Sequence, residues 1–174
     1  QATGQFFGVN QEITISCFRF YAYTPWDSNA RVTSRDVWCK IYEANKDSLP
    51  AGAAIDSVKV TLDTITGALT FARLTKDAVF NKPIKISKPY VLTLECSNTN
   101  NIPLTICNSY ANRDGEGRNI STVKVGGRWL RSLALNVGGV TFDAHFQFLP
   151  FVSYDFGTDF SFTNCYVLAQ KVKF

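Results

Sequence analysis

The stretch Phe142-Asp-Ala-His-Phe-Gln-Phe-Leu-Pro-Phe-Val-Ser-Tyr-Asp-Phe156 decides the fold class. Phe142, Ala144, Phe146, Phe148, Pro150, Val152, Tyr154 and Phe156 share one parity, the period of two that marks a strand, where a helix would repeat every 3.6 residues. The other parity opens with Asp143, His145 and Gln147, so the first half predicts one dry and one wet face. Leu149 and Phe151 interrupt the wet face, and Pro150 cannot donate to a ladder. A bulge or a change of sheet is expected there.

Working outward, strand-like runs recur at 13–23, 36–43, 55–62, 69–74, 90–96, 103–111, 120–125, 129–137 and 160–168. In the first, Ile13, Ile15 and Cys17 share one parity and Phe18, Phe20 and Ala22 the other, which predicts a bulge near Cys17. Turn chemistry separates the runs at Thr24-Pro25, Leu49-Pro50-Ala51-Gly52, Asn98 to Asn101, Arg113 to Gly117, Gly126-Gly127 and Gly138-Gly139. Gly126-Gly127 joins two runs through two residues, the signature of a tight hairpin. No amphipathic helix of ten residues, internal repeat or linker is present. About ten strands at this spacing predict an all-β fold, an antiparallel two-sheet sandwich of jelly-roll kind, with 1–174 forming one domain.

Composition agrees with a packed core. Hydrophobic residues make up 45% of the chain and charged residues 18%, and 14 Phe, 7 Tyr and 3 Trp are unlike a disordered segment. The net charge of +4 is scattered, with no block in which phosphates could be neutralised together, so nucleic acid is not expected as a partner. Lys82, Lys85 and Lys88 read as a solvated edge that discourages strand addition. No apolar run is long enough to span a membrane as a helix. A start at Gln1 and the absence of Met suggest a processed product, with a signal peptide removed and an extracellular or cell-surface location.

The five cysteines, at positions 17, 39, 96, 107 and 165, lack zinc-ligand spacing. In an oxidising compartment Cys96 with Cys107 is the first candidate disulfide, because they flank a polar turn, and Cys17 with Cys39 is the second. Buried free thiols are the alternative. An odd count leaves one cysteine over, and Cys165 is the candidate.

Catalytic constellations are sparse. The single histidine, His145, sits mid-strand beside Asp143, and no Gly-x-Ser-x-Gly elbow presents a nucleophile. Asp155 with Asp159, and Asp114 with Glu116, are the carboxylate pairs a glycosidase would require, yet both lie in turn-like sequence. The chain is therefore read as not an enzyme, with no cofactor. Asp114 and Glu116 are also a weak calcium candidate, since Asn112 to Asn119 gathers oxygen donors around glycines. Arg113 and Arg118 add opposing charge to that loop. Aromatic rings in polar, turn-rich sequence are the better binding candidates: Trp26, Tyr110 and Trp129, with Arg113 and Arg118 beside Tyr110. Trp26 could equally cap the end of the sandwich. Trp38 alternates with Val37 and Cys39 and is expected to pack against a sheet face. Asn119-Ile-Ser121 fits a glycosylation acceptor.

Residues 11–96 resemble a module of secreted and cell-surface proteins of Bacteroidota, many exported by the type IX system. The resemblance rests on Val37 to Asn45, Leu49-Pro-Ala-Gly-Ala-Ala-Ile55, Asp56 to Leu62, Lys82-Pro-Ile-Lys-Ile86 and Tyr90-Val-Leu-Thr-Leu-Glu95. It implies a jelly-roll accessory, adhesive or polymer-binding module and brings no catalytic motif; no C-terminal sorting domain accompanies it. The expected function is a binding or adhesion module contacting carbohydrate or surface polymer through loop aromatics. The alternative is a protein-binding subunit of a surface assembly, filament or secretion complex.

Overall fold

A computed structural model of the chain describes residues 2–23, 34–63, 73–96, 105–106, 108–109, 120–137, 140–141, 145–155 and 161–164. The strands are β1 (Ala2–Phe7), β2 (Ile13–Tyr23), β3 (Ser34–Ala44), β4 (Pro50–Asp63), β5 (Arg73–Ile86), β6 (Tyr90–Glu95), β7 (Thr105–Ile106), β8 (Asn108–Ser109), β9 (Ser121–Val125), β10 (Arg128–Arg131), β11 (Asn136–Val137), β12 (Val140–Thr141), β13 (His145–Phe146), β14 (Phe148–Asp155) and β15 (Ser161–Asn164). One turn of 3₁₀ helix, Ser132–Ala134, follows β10.

All pairings among the described residues are antiparallel. Sheet A has the order β10-β9-β1-β6-β3-β4, and sheet B the order β15-β14-β2-β5, with β7 extending the β14 side of β2. The first six strands nest: β1 pairs β6, β2 pairs β5 and β3 pairs β4. The first and third pairs lie in sheet A and the second in sheet B, so a long double strand has rolled across two sheets. That is the connectivity of a jelly roll. The all-β sandwich expected from alternation is the fold observed.

Each inner face is the apolar parity of its strands. Val37, Cys39 and Ile41 of β3 and Leu92 and Leu94 of β6 meet Ile13, Ile15, Phe18 and Phe20 of β2, Ala78 and Phe80 of β5, and Phe148 and Val152 of β14. Phe18 is central, with the rings of Phe20, Phe80 and Phe148 at 6.1, 6.0 and 5.7 Å. Such ring pairs add to burial because tilted contacts suit the aromatic quadrupole.

The two expected interruptions are one feature. Cys17 faces Phe151 and Ile15 faces Val152, leaving Ser16 as the extra residue of β2 opposite the Phe151/Val152 step. The insertion moves the buried parity of β2 from Ile13 and Ile15 to Phe18 and Phe20. On its other side the break is larger: Ile15 faces Ile84 and Cys17 faces Val79, so Asn81, Lys82 and Pro83 fall in a bulge of β5, where a proline displaces no ladder bond. Pro150 is aligned with Phe18, but β15 pairs only Val152–Asp155, so its other flank has no strand partner among the described residues.

Three expectations are corrected. The turn expected at Leu49 to Gly52 lies earlier, at Asn45 to Leu49. The Asn45 side chain accepts from the Asp47 and Leu49 amides at 2.9 and 3.0 Å, and Ser48 takes φ 59°. Pro50, Ala51 and Gly52 already belong to β4, with Pro50 opposite Ala44. Cys17 and Cys39 do not form a disulfide: Cys39 points into the core from sheet A, whereas Cys17 lies on the outer face of sheet B. Cys96 is buried, and Cys107 and Cys165 lie outside the described residues. Trp38 does not pack away; it is 46% exposed on the outer face of sheet A. The Gly126-Gly127 hairpin is as expected, with φ 56° and 81°, a left-handed pair that glycine adopts without steric cost.

Candidate binding face

Register shows which residues share the outer face of sheet A. Trp129 lies opposite Lys124, Lys124 opposite Ala2, Ala2 opposite Glu95, Glu95 opposite Trp38 and Trp38 opposite Lys59. These six residues, one from each strand, form a single row across the sheet. The next row runs Arg131, Thr122, Gly4, Thr93, Lys40, Ser57, and a third contains Phe6, Val91 and Tyr42. Facing strand positions carry side chains to the same side of a sheet, so both indoles share this face.

The face is cupped. Arg131 Nε donates to the Asp47 carbonyl at 2.7 Å, joining β10 to the β3–β4 turn. Those elements are four strand positions apart, roughly 19 Å in a flat sheet. An arginine cannot span that, so sheet A must curl toward its outer side. Curling explains why Val91, Thr93 and Thr122 are buried although they point away from the core. The floor also requires small residues: a Cβ on Gly4 would lie 3.0 Å from the Leu92 carbonyl oxygen and from the methyls of Thr93 and Thr122.

Glu95 is the electrostatic centre. Tyr42 donates its hydroxyl to Glu95 at 2.7 Å, and the ammoniums of Lys40 and Lys124 lie 3.1 and 3.7 Å from its other oxygen. Burial pulls the Glu95 pKa upward, but the Tyr42 and Lys40 hydrogen bonds and the charges of Lys40 and Lys124 outweigh it and hold the carboxyl below its ordinary range. Burial and the same contact raise the Tyr42 hydroxyl. Both groups therefore keep one protonation state at neutral pH. Lys124 also lies 5.3 Å from the centroid of the half-buried Trp129 ring, a cation–π contact that fixes its ammonium. At the far side Lys59 and Thr61 meet Asp36 at 3.0 and 2.7 Å.

A second concavity, about 310 Å³, opens at one end between the sheets and is lined by Phe7, Val9, Ile13, Tyr90, Phe148 and Tyr154 among others. Phe7 and Tyr90 stack there at 5.2 Å. None of its lining residues among those described is charged, so these offer dispersion but little to orient a ligand.

Of the residues singled out in the sequence, Trp129 lies on the outer face of sheet A, but at the edge strand instead of in a loop. Trp26, Tyr110, Arg113, Asp114, Glu116 and Arg118 lie outside the described residues. His145 is half-buried and pairs with Ser109; Asp155 ends β14 opposite Ser161, and Asp159 lies outside the described residues. Ser121 of the glycosylation motif is buried, its hydroxyl against that of Ser132. Lys82, Lys85 and Lys88 are exposed along or just beyond β5, the last strand in the order of sheet B. Among the described residues no three His, Cys, Asp or Glu gather as a metal site, and no helix is long and apolar enough to cross a membrane. Sequence reasoning missed Trp38, Lys40, Glu95 and Lys124, because only strand pairing assembles them. No protein-family model, curated protein or solved structure matches the chain.

Proposed function

We propose that the chain is a secreted, non-catalytic binding module that contacts carbohydrate or another surface polymer across the outer face of sheet A. The observation that carries this reading is the single row containing both Trp38 and Trp129, with charged groups between them. An indole exposed on a sheet face offers a broad apolar plane to a sugar ring, and neighbouring polar groups set its orientation. Trp38, 46% exposed, is the stacking ring; Trp129, occupied by Lys124, positions that ammonium. The non-catalytic reading is supported by Glu95, whose lowered pKa and two cationic neighbours suit a counter-ion better than a proton donor. Secretion, and kinship with the Bacteroidota modules, belong to the same proposal and rest on the resemblance of residues 11–96. Affinity electrophoresis against soluble polysaccharides tests it. Retardation that is lost in Trp38→Ala supports the reading, and no retardation by any polymer refutes it.

Assembly through sheet B is the second reading, favoured by the row Phe151, Cys17, Val79 on its outer face, where Val79 is 60% exposed. Sedimentation across a concentration series tests it: self-association relieved by Val79→Lys supports it, and a monomer at every concentration counts against it.

A further inference from the structure

Resting on the proposed polymer-binding face, we infer that its ligand is an anionic polysaccharide, whose carboxylate or sulfate groups are met by Lys40 and Lys124 between the two indoles. The charges on this face do not pair one to one. Lys59 has Asp36, but Lys40 and Lys124 share the single carboxylate of Glu95. Depth separates the signs as well. The Glu95 side chain is 16% exposed, whereas those of Lys40 and Lys124 are 25% and 34% exposed. An approaching polymer therefore meets two lysine side chains more exposed than the carboxylate they share, with one more cation than anion in the cluster among the described residues. The ammoniums are also pre-positioned, Lys124 by the Trp129 ring and by Glu95, and Lys40 by Glu95. Groups already held in place lose less side-chain entropy when an anion arrives. A neutral glycan would use Trp38 alone and leave this positive centre unmatched; an anionic one uses both. Complementary charge at a surface adds rate and selectivity, and it weakens with salt.

The experiment measures affinity for a neutral galactomannan, a polygalacturonate and a sulfated carrageenan at low and at physiological salt, using wild type, Lys40→Gln/Lys124→Gln, Glu95→Gln and Trp38→Ala. Thermal melting confirms that each variant is folded. The expected result is binding to the two anionic polymers only, weakened by salt. The double lysine variant weakens it about tenfold, one charge-assisted contact's worth. Glu95→Gln strengthens it, which a merely structural Glu95 would not do, and this arm keeps the test decisive if the double variant does not fold. The carboxylate and sulfate polymers distinguish the two sources of the anion. Trp38-dependent binding of galactomannan alone overturns the inference and leaves the proposed function standing; anionic binding unchanged in both charge variants also overturns it. Binding to none of the three overturns the inference, and the proposed function falls with it only when no other polymer retards the chain.

Discussion

The two outer faces of this sandwich share one core and treat charge in opposite ways. On sheet B, Arg19 meets Asp77 through two hydrogen bonds of 2.7 and 2.9 Å, while its guanidinium carbon lies 5.4 Å from the centroid of the Phe151 ring. The charges cancel pairwise at the surface beside an apolar row. On sheet A, two lysines and a tyrosine converge on one recessed carboxylate, and an exposed indole stands beside it. A locally closed pair leaves nothing for a partner to complete. An overmatched carboxylate leaves a surplus of cationic side chains beside it, and that difference is why sheet A is proposed as the binding face.

The largest test attacks what the faces have in common. Phe18 is fully buried against three phenylalanine rings. Phe18→Ala should cost about 3–5 kcal/mol by urea unfolding, through lost transfer energy and a cavity. Both faces should be lost in the same transition. Separate transitions, followed by fluorescence near Trp38 and by thiol accessibility of Cys17, would break the assumption of a shared core. Next in size is Gly4→Ala, which brings a methyl to 3.0 Å from a backbone oxygen and two threonine methyls in the floor of sheet A. The crowding should cost about 1–3 kcal/mol and flatten the cup. An unchanged stability would mean that the floor is looser than its geometry indicates.

Glu95→Gln comes third. It removes a carboxylate held by Tyr42 and Lys40 and should cost about 1–2 kcal/mol at neutral pH. Because the folded-state pKa is lowered, this contribution is present above the unfolded value of about 4.3. It is lost as pH falls through the folded value. The stability gap between wild type and Glu95→Gln should therefore close on acidification below about pH 5. A gap that stays constant through that range would remove Glu95 from its place as an ionised centre.

Much of the architecture is legible in the order of residues, because alternation is local. The limits of β2 at Ile13 and Tyr23, the parity switch at Ser16 and the Gly126-Gly127 hairpin all follow from neighbours along the chain. Two strands are less visible. β1 reads Ala-Thr-Gly-Gln-Phe-Phe, with small or polar residues where both its faces are covered, and β5 carries exposed Val79 beside buried Ala78, with a three-residue step in register. The candidate binding face is illegible in sequence for a different reason. Ala2, Trp38, Lys59, Glu95, Lys124 and Trp129 are far apart in sequence, and pairing alone places them in one row. The exposure of Trp38 is illegible for a related reason: alternation shows that it faces away from Val37 and Cys39, but not which parity faces the core.

The smallest expected effect gives the finest test of the difference between the faces. Asp77 also has a lowered pKa, from the Arg19 hydrogen bonds and charge acting against burial, so it loses its contribution on acidification in the same direction as Glu95. Its side chain is 39% exposed and that of Arg19 is 31% exposed, so water and salt screen the pair. Asp77→Asn should therefore change stability by less than about 1 kcal/mol, since Arg19 can keep its contact with Phe151 and hydrate its freed edge. Raising the salt should shrink even that difference, while the cost of Glu95→Gln should be less sensitive because its carboxylate is recessed. Equal costs and equal salt dependence for the two substitutions would mean that depth does not separate these sites, and the outward surplus of charge on sheet A would lose its physical basis.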